Sequence, residues 1–310
     1  MKKMLVYILG LIVLIVILMP FITGNLEKEV LNDQTRANIG GEFMELSDGV
    51  THYELKGDEG RKTIVLVHGN AAPYFSWDNN FDYLVDAGFR VLRYDVFGHG
   101  FSDRPEMDKY NRDLYDRQLV ELLDKLGIDE PIYIAGTSQG GSISIYFTAT
   151  HPGKVEKVAL LSPLFDSFEG KGMANLLRTK GVGEYFMGVV GDKTAVNPSN
   201  VLYSSEKNQE LKEKLSRQIH YKGKKRAILA NMRGDAVNDA TDFYKQVKDQ
   251  GIPMLLTWGK NDKSISGESM DRLRNIIPKI QYHELEEASH LAHYEFSEEI
   301  NPILIKFFKE

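Results

Sequence analysis

Pro131-Ile-Tyr-Ile-Ala-Gly136-Thr137-Ser138-Gln139-Gly140-Gly141 carries a short apolar run straight into G-x-S-x-G. The apolar residues read as a strand that ends at the first glycine, and a helix follows at once, leaving the serine on a sharp turn between them. Glycines two residues to either side let backbone pack closely around an exposed side chain. The first N–H groups of the helix point back at the turn, so the Gln139 amide can receive negative charge developing on a carbonyl oxygen. A serine needs this placement when its hydroxyl is to act as a nucleophile.

Upstream, Thr63-Ile-Val-Leu-Val67 is the continuous β-branched run that a strand buried on both faces requires, and it ends in His68-Gly69-Asn70-Ala71. Downstream, Ile252-Pro-Met-Leu-Leu-Thr-Trp258 reads as another buried strand, followed by Gly259-Lys260-Asn261-Asp262. Ile280 to Leu285 reads as the next strand, with Ala288-Ser289-His290-Leu291-Ala292-His293-Tyr294-Glu295 beyond it. Asp262 and the histidines thus fall just past the carboxyl ends of strands, where α/β sheets present functional groups. Nucleophilic catalysis needs a base near Ser138 and a carboxylate that fixes the base's tautomer and stabilises its cation. His290 is the expected base and Asp262 the expected orienting acid. Two alternatives stay open: His293, three positions from His290, and Asp166, which follows the strand before the Ile252 strand.

From about Gly41 to its end the chain resembles the α/β-hydrolase fold superfamily of serine esterases and lipases. The resemblance rests on the elbow, on the His68-Gly69 turn, on Asp95-Val-Phe-Gly98-His99-Gly100-Phe-Ser102 as the D-x-x-G-x-G-x-S loop, and on the terminal histidine loop. In that loop Ser289 stands where a glycine is common. The likeness implies a doubly wound, mostly parallel sheet and an oxyanion hole formed by the main-chain amides of Asn70 and Gln139. His99 is expected to tie its loop down beside the site. Haloalkane dehalogenases and epoxide hydrolases share the HG turn but carry aspartate at the elbow, so Ser138 argues against them.

Composition narrows the rest. The chain has 310 residues, enough for one large α/β core with a modest insertion, and its net charge of −6 gives no footing for nucleic acid. With no cysteine, disulfides, thiol catalysis and thiolate-bound metals are excluded. No metal or phosphate-loop motif occurs, so cofactor-free catalysis is expected.

Met4 to Ile22 holds no charged residue, and at 1.5 Å per residue a helix of this length spans a ~30 Å hydrocarbon layer. Residues 1–24 are therefore expected to form an uncleaved transmembrane anchor. Lys2 and Lys3 crowd its start, which predicts a cytoplasmic N-terminus and an extracytoplasmic catalytic domain. The mixed-charge residues 25–40 read as a stalk.

Glu42 to Leu46 and Val50 to Leu55 read as an edge hairpin. Residues 41–162 and 252–310 are then the two parts of the core, with 163–251 inserted between them as a helical cap. Lys222 to Arg226 reads as a solvated helix face, with contact to anionic headgroups as the lesser alternative. The expected activity is hydrolysis of carboxylic esters, lipid esters among them, through an acyl-enzyme. Amide or carbon–carbon bond hydrolysis and acyl transfer use the same residues. A ligand-binding sensor on the same scaffold is the reading from another class.

Overall fold

The computed structural model describes residues 2–23, 25–70, 72–166, 172–194, 202 and 204–310. Eight strands form one sheet: β1 (Glu42–Leu46), β2 (Gly49–Lys56), β3 (Thr63–Val67), β4 (Arg90–Tyr94), β5 (Ile132–Thr137), β6 (Val155–Leu161), β7 (Met254–Gly259) and β8 (Gln281–Leu285). Their order is β1-β2-β4-β3-β5-β6-β7-β8. β2 runs antiparallel to both β1 and β4, and every other pairing is parallel.

The central strands are apolar throughout because each of their faces is covered. In β3, Val65 and Val67 join one core cluster while Ile64 and Leu66 join the other, and all four are fully buried. β7 divides in the same way, with Met254 and Leu256 against Leu255. Helices on both faces are the physical reason for these runs, and burying each such side chain contributes ~1.5–3 kcal/mol. The strand between β3 and β6 is the elbow strand β5, so Ser138 emerges at the middle of the sheet's carboxyl edge.

Between β6 and β7 lie helices Gly172–Arg178, Val182–Thr194, Ser205–Ser216 and Lys224–Arg233, then Thr241–Asp249. The last of these packs on the elbow helix Gln139–Thr150, with Phe243 edge-on to Tyr146 at 4.9 Å, so it belongs to the layer beside the sheet.

One expectation finds no support here and another changes in part. The N-terminal helix Lys2–Ile22 forms with Pro20 inside it, and Tyr7, Leu9 and Phe21 are exposed. Several of its side chains lie outside the described residues, and among those described no helix is long and apolar enough to cross a membrane. The structure therefore gives the transmembrane segment no support. The basic run Lys222 to Arg226 is only partly a solvated face, since Lys222 is exposed but the residues after it are not. Lys224 is buried, and Arg226 spends its guanidinium on the Pro105 and Arg104 carbonyls at 2.6 and 2.5 Å. Lys224 and Arg226 turn inward because the helix they begin is laid against the loop from Gly98 to Pro105, where carbonyl acceptors wait.

Candidate active site

Ser138 leaves β5 with φ 52° and ψ −123°, a conformation that non-glycine residues rarely adopt. Close packing around the turn holds it there. A Cβ on Gly136 would lie 2.4 Å from the Gly140 carbonyl oxygen, and one on Gly140 would lie 2.2 Å from that of Val67. These glycines let the elbow and the end of β3 touch backbone to backbone. Gly69 then sits directly over the nucleophile position, since a Cβ there would be 2.7 Å from Ser138 Cβ. Gln139 is the first residue of the elbow helix, so its N–H is among the four with no intrahelical acceptor. Asn70 directly follows Gly69 and is exposed.

Asp262 and His290 lie on adjoining loops beyond β7 and β8. Their backbones are tied by Lys260 N–H to Leu285 O at 2.9 Å and Asn261 N–H to Ala288 O at 3.0 Å. Gly259 permits the approach, because a Cβ there would fall 2.4 Å from the Ala288 oxygen. Asp262 Oδ1 accepts from the Ser264 and Ile265 amides at 2.7 and 2.9 Å, which aims Oδ2 at His290 Nδ1, 2.8 Å away. With Nδ1–H donated to the carboxylate, Nε2 keeps its lone pair. Both side chains are almost wholly buried. Among the described residues no hydrogen bond joins Ser138 Oγ to His290; in unliganded enzymes such contacts are often long and tighten on binding.

The two alternatives go elsewhere. Asp166 binds Ser269 and Arg272. His293 is fully buried against Trp77, with ring centroids 4.4 Å apart, and burial together with the nearby His290 lowers its pKa to about 3.

Beside the HG turn, His99 Nε2 donates to Asn70 Oδ1 at 2.8 Å. Its pKa is held well below the usual imidazole value by burial and by the Lys224 charge, so the ring is a neutral donor. Lys224 reaches the Gly98 carbonyl at 3.4 Å, and burial reinforced by Arg104 lowers its pKa to about 7. Asp95 anchors this loop. It accepts from His52 Nδ1 at 2.7 Å and from the Tyr74 and Phe101 amides at 2.9 Å each. Burial alone would raise its pKa, but the His52 hydrogen bond and charge hold it below the usual range.

Asn231 was not singled out in the sequence. On the cap helix Lys224–Arg233, its amide makes a reciprocal pair with that of Gln139, at 2.7 and 2.9 Å, and also accepts from Tyr115 Oη at 2.9 Å. Asn231 Nδ2 lies 3.4 Å from Asn70 Oδ1, so one cap side chain reaches both residues expected to form the oxyanion hole. The only local signal was an asparagine within a helical pattern, which carries no information about a partner 92 residues away.

A nucleophile elbow at the carboxyl edge of a doubly wound sheet, with an Asp–His pair beyond the later strands, defines a hydrolase-type enzyme. Residues 62–297 match the family model described as alpha/beta hydrolase fold, and the chain belongs to that family. Among curated relatives, the 2-hydroxy-6-oxononadienedioate/2-hydroxy-6-oxononatrienedioate hydrolase of Klebsiella pneumoniae is 28% identical over 260 residues, covering 80% of this chain and 88% of the relative. Similarity to solved structures includes the enol-lactonase of Burkholderia xenovorans LB400, with TM-score 0.71 and 24% identity, covering 87% of this chain and all of that one. A thermophilic esterase of Thermogutta terrifontis gives TM-score 0.70 at 20% identity, over 87% of this chain and 98% of that one. At these identities the two structures speak for the fold alone.

Proposed function

We propose that this enzyme hydrolyses carboxylic esters through an acyl-enzyme formed on Ser138. His290 Nε2 takes the Ser138 proton as the oxygen attacks the carbonyl carbon, and Asp262 holds the ring and stabilises the imidazolium. The carbonyl oxygen, now carrying the negative charge, is received by the Asn70 and Gln139 amides. When the tetrahedral adduct collapses, the carbon–oxygen bond of the ester breaks and His290 returns the proton to the departing alcohol. Water, deprotonated by the same ring, then releases the acid. The observation that carries this reading is the 2.8 Å contact between His290 Nδ1 and Asp262 Oδ2, on loops beside an elbow serine held at φ 52°.

A second reading is hydrolysis of a carbon–carbon bond next to a ketone. The Klebsiella relative is named as a hydrolase of a dienedioate or trienedioate. Lys224 and Arg104 are both buried close enough to His99 for their charges to lower its pKa, and positive potential beside the His99–Asn70 contact would suit such an anion. A p-nitrophenyl ester series run beside a chromogenic 2-hydroxy-6-oxo-dienoate separates the two. Ester turnover that disappears in Ser138→Ala supports the first; turnover confined to the dienoate supports the second. Full ester turnover in Ser138→Ala would sink the serine mechanism.

The uncharged run Met4 to Ile22 supports membrane attachment, with the catalytic domain outside and lipid esters among its substrates. Alkaline carbonate extraction of membranes tests it: the full chain should stay in the pellet, and release into the supernatant would overturn it.

A further inference from the structure

The cap helix Lys224–Arg233 has no cap of its own. Its N-cap is Gly223, at φ 89°, which supplies no side chain to the first N–H groups. They are instead met from nearly two hundred residues away. Glu27 Oε1 accepts from the Lys225 amide at 2.5 Å, and Glu27 Oε2 accepts from the Gly223 amide at 3.2 Å. A carboxylate here satisfies orphan donors and also meets the positive end of the helix macrodipole.

The rest of the segment is fastened on both sides. Glu29 pairs with the chain that leads into the helix, its N–H to His220 O at 2.9 Å and its carbonyl accepting from Lys222 N–H at 2.8 Å. Leu26 N–H donates to Asp192 Oδ2 at 3.0 Å, and Asp192 Oδ1 faces Lys225 Nζ at 2.7 Å. Thr23 Oγ1 donates to Gly188 O at 3.0 Å, and a Cβ on Gly188 would meet Pro20 at 2.9 Å. Thr23 and the first residues of the segment read from the sequence as a stalk, 25–29, therefore pass helix Val182–Thr194 and reach the start of helix Lys224–Arg233. Two turns along that second helix, Asn231 grips Gln139 and reaches Asn70.

We propose that Thr23 together with residues 25–29 is a strap on the cap, and that Glu27 is a positioning residue. By fixing the start of helix Lys224–Arg233, it holds Asn231 against the two residues that flank Ser138. This rests on the reading of Ser138 as the nucleophile. The consequence is that the N-terminal segment takes part in setting the rate of the site while touching no substrate.

The test uses full-length protein in detergent, with active serines titrated by a fluorophosphonate and kcat expressed per titrated site. A merely structural role for Glu27 would lower the number of titratable sites and leave the rate of each unchanged. The strap predicts a fall in kcat per site of about tenfold in Glu27→Ala, the scale of a lost helix cap. Glu27→Gln, which keeps an acceptor but loses the charge, should fall between Glu27→Ala and wild type, with KM little changed throughout. A kcat per site in Glu27→Ala within twofold of wild type overturns the proposal.

Hydrogen exchange on Glu27→Gln gives a readout independent of catalysis, and it decides the matter if Glu27→Ala does not fold. Amides 223–226 should exchange faster than in wild type while those of β3 and β5 stay protected; unchanged exchange at 223–226 overturns the strap. If wild type takes no fluorophosphonate, the reading of Ser138 fails, and the exchange result still judges whether Glu27 caps the helix.

Discussion

His290 and Asp262 meet through a single hydrogen bond of 2.8 Å, and Asp262 has spent its other oxygen on the Ser264 and Ile265 amides. The carboxylate is thus fixed before any substrate arrives, and its one free direction is the imidazole. An amide in its place can keep the geometry but can present N–H to the ring and impose the wrong tautomer. Asp262→Asn should lower kcat by roughly 10⁴-fold with little change in melting temperature. Stopped assays on ester substrate, paired with thermal melts, check this; a loss under tenfold would remove Asp262 from the role.

Strain at Ser138 gives a prediction of opposite sign for stability and activity. Its φ of 52° with ψ −123° is a cost that glycine does not bear. Ser138→Gly should abolish turnover and raise stability by about 1 kcal/mol, whereas Ser138→Ala should abolish turnover with no such gain. Urea denaturation of the three proteins measures the difference.

Gly69 bounds the same serine from above. A methyl group at this position must displace either Ser138 or the turn that carries Asn70, since it would lie 2.7 Å from Ser138 Cβ. Gly69→Ala should cut kcat by on the order of 10²-fold, the scale of one lost oxyanion donor. Steady-state kinetics that match wild type would show that the turn yields without cost.

Much of this was legible in the chain because each feature is local. The strand, glycines and serine of 131–141 are contiguous in the chain, and so are the apolar runs that became β3 and β7. Residues named from the sequence lie where strand ends put them, with Asp262 against His290 and Asn70 beside Gly69. Asn231 and Glu27 were not legible, because their partners are brought up by the packing of the cap, and nothing in the flanking residues encodes that contact. Lys224 misled for a related reason. A lysine in a basic run is ordinarily solvated, and only the close approach of the helix to the Gly98 loop buries it.

That burial has a pH signature. Lys224 has its pKa lowered to about 7 from 10.5, by burial first and Arg104 next. Between these values the unfolded chain binds more protons at this position than the folded one, so its contribution to stability improves as pH rises above about 7. The slope per pH unit approaches ~1 kcal/mol. Lys224→Met removes it, so the stability of wild type relative to the variant should climb from pH 7 to pH 9 in parallel denaturant titrations. Parallel curves would mean that the ammonium is solvated.

The most direct measurement is fluorophosphonate labelling of the folded full-length protein, with the adduct located by mass spectrometry in wild type and in Asp262→Asn. The account predicts one adduct, on Ser138, forming rapidly in wild type and far more slowly in the variant. A folded protein that takes no label at Ser138, or that labels equally fast without the Asp262 carboxylate, would contradict it.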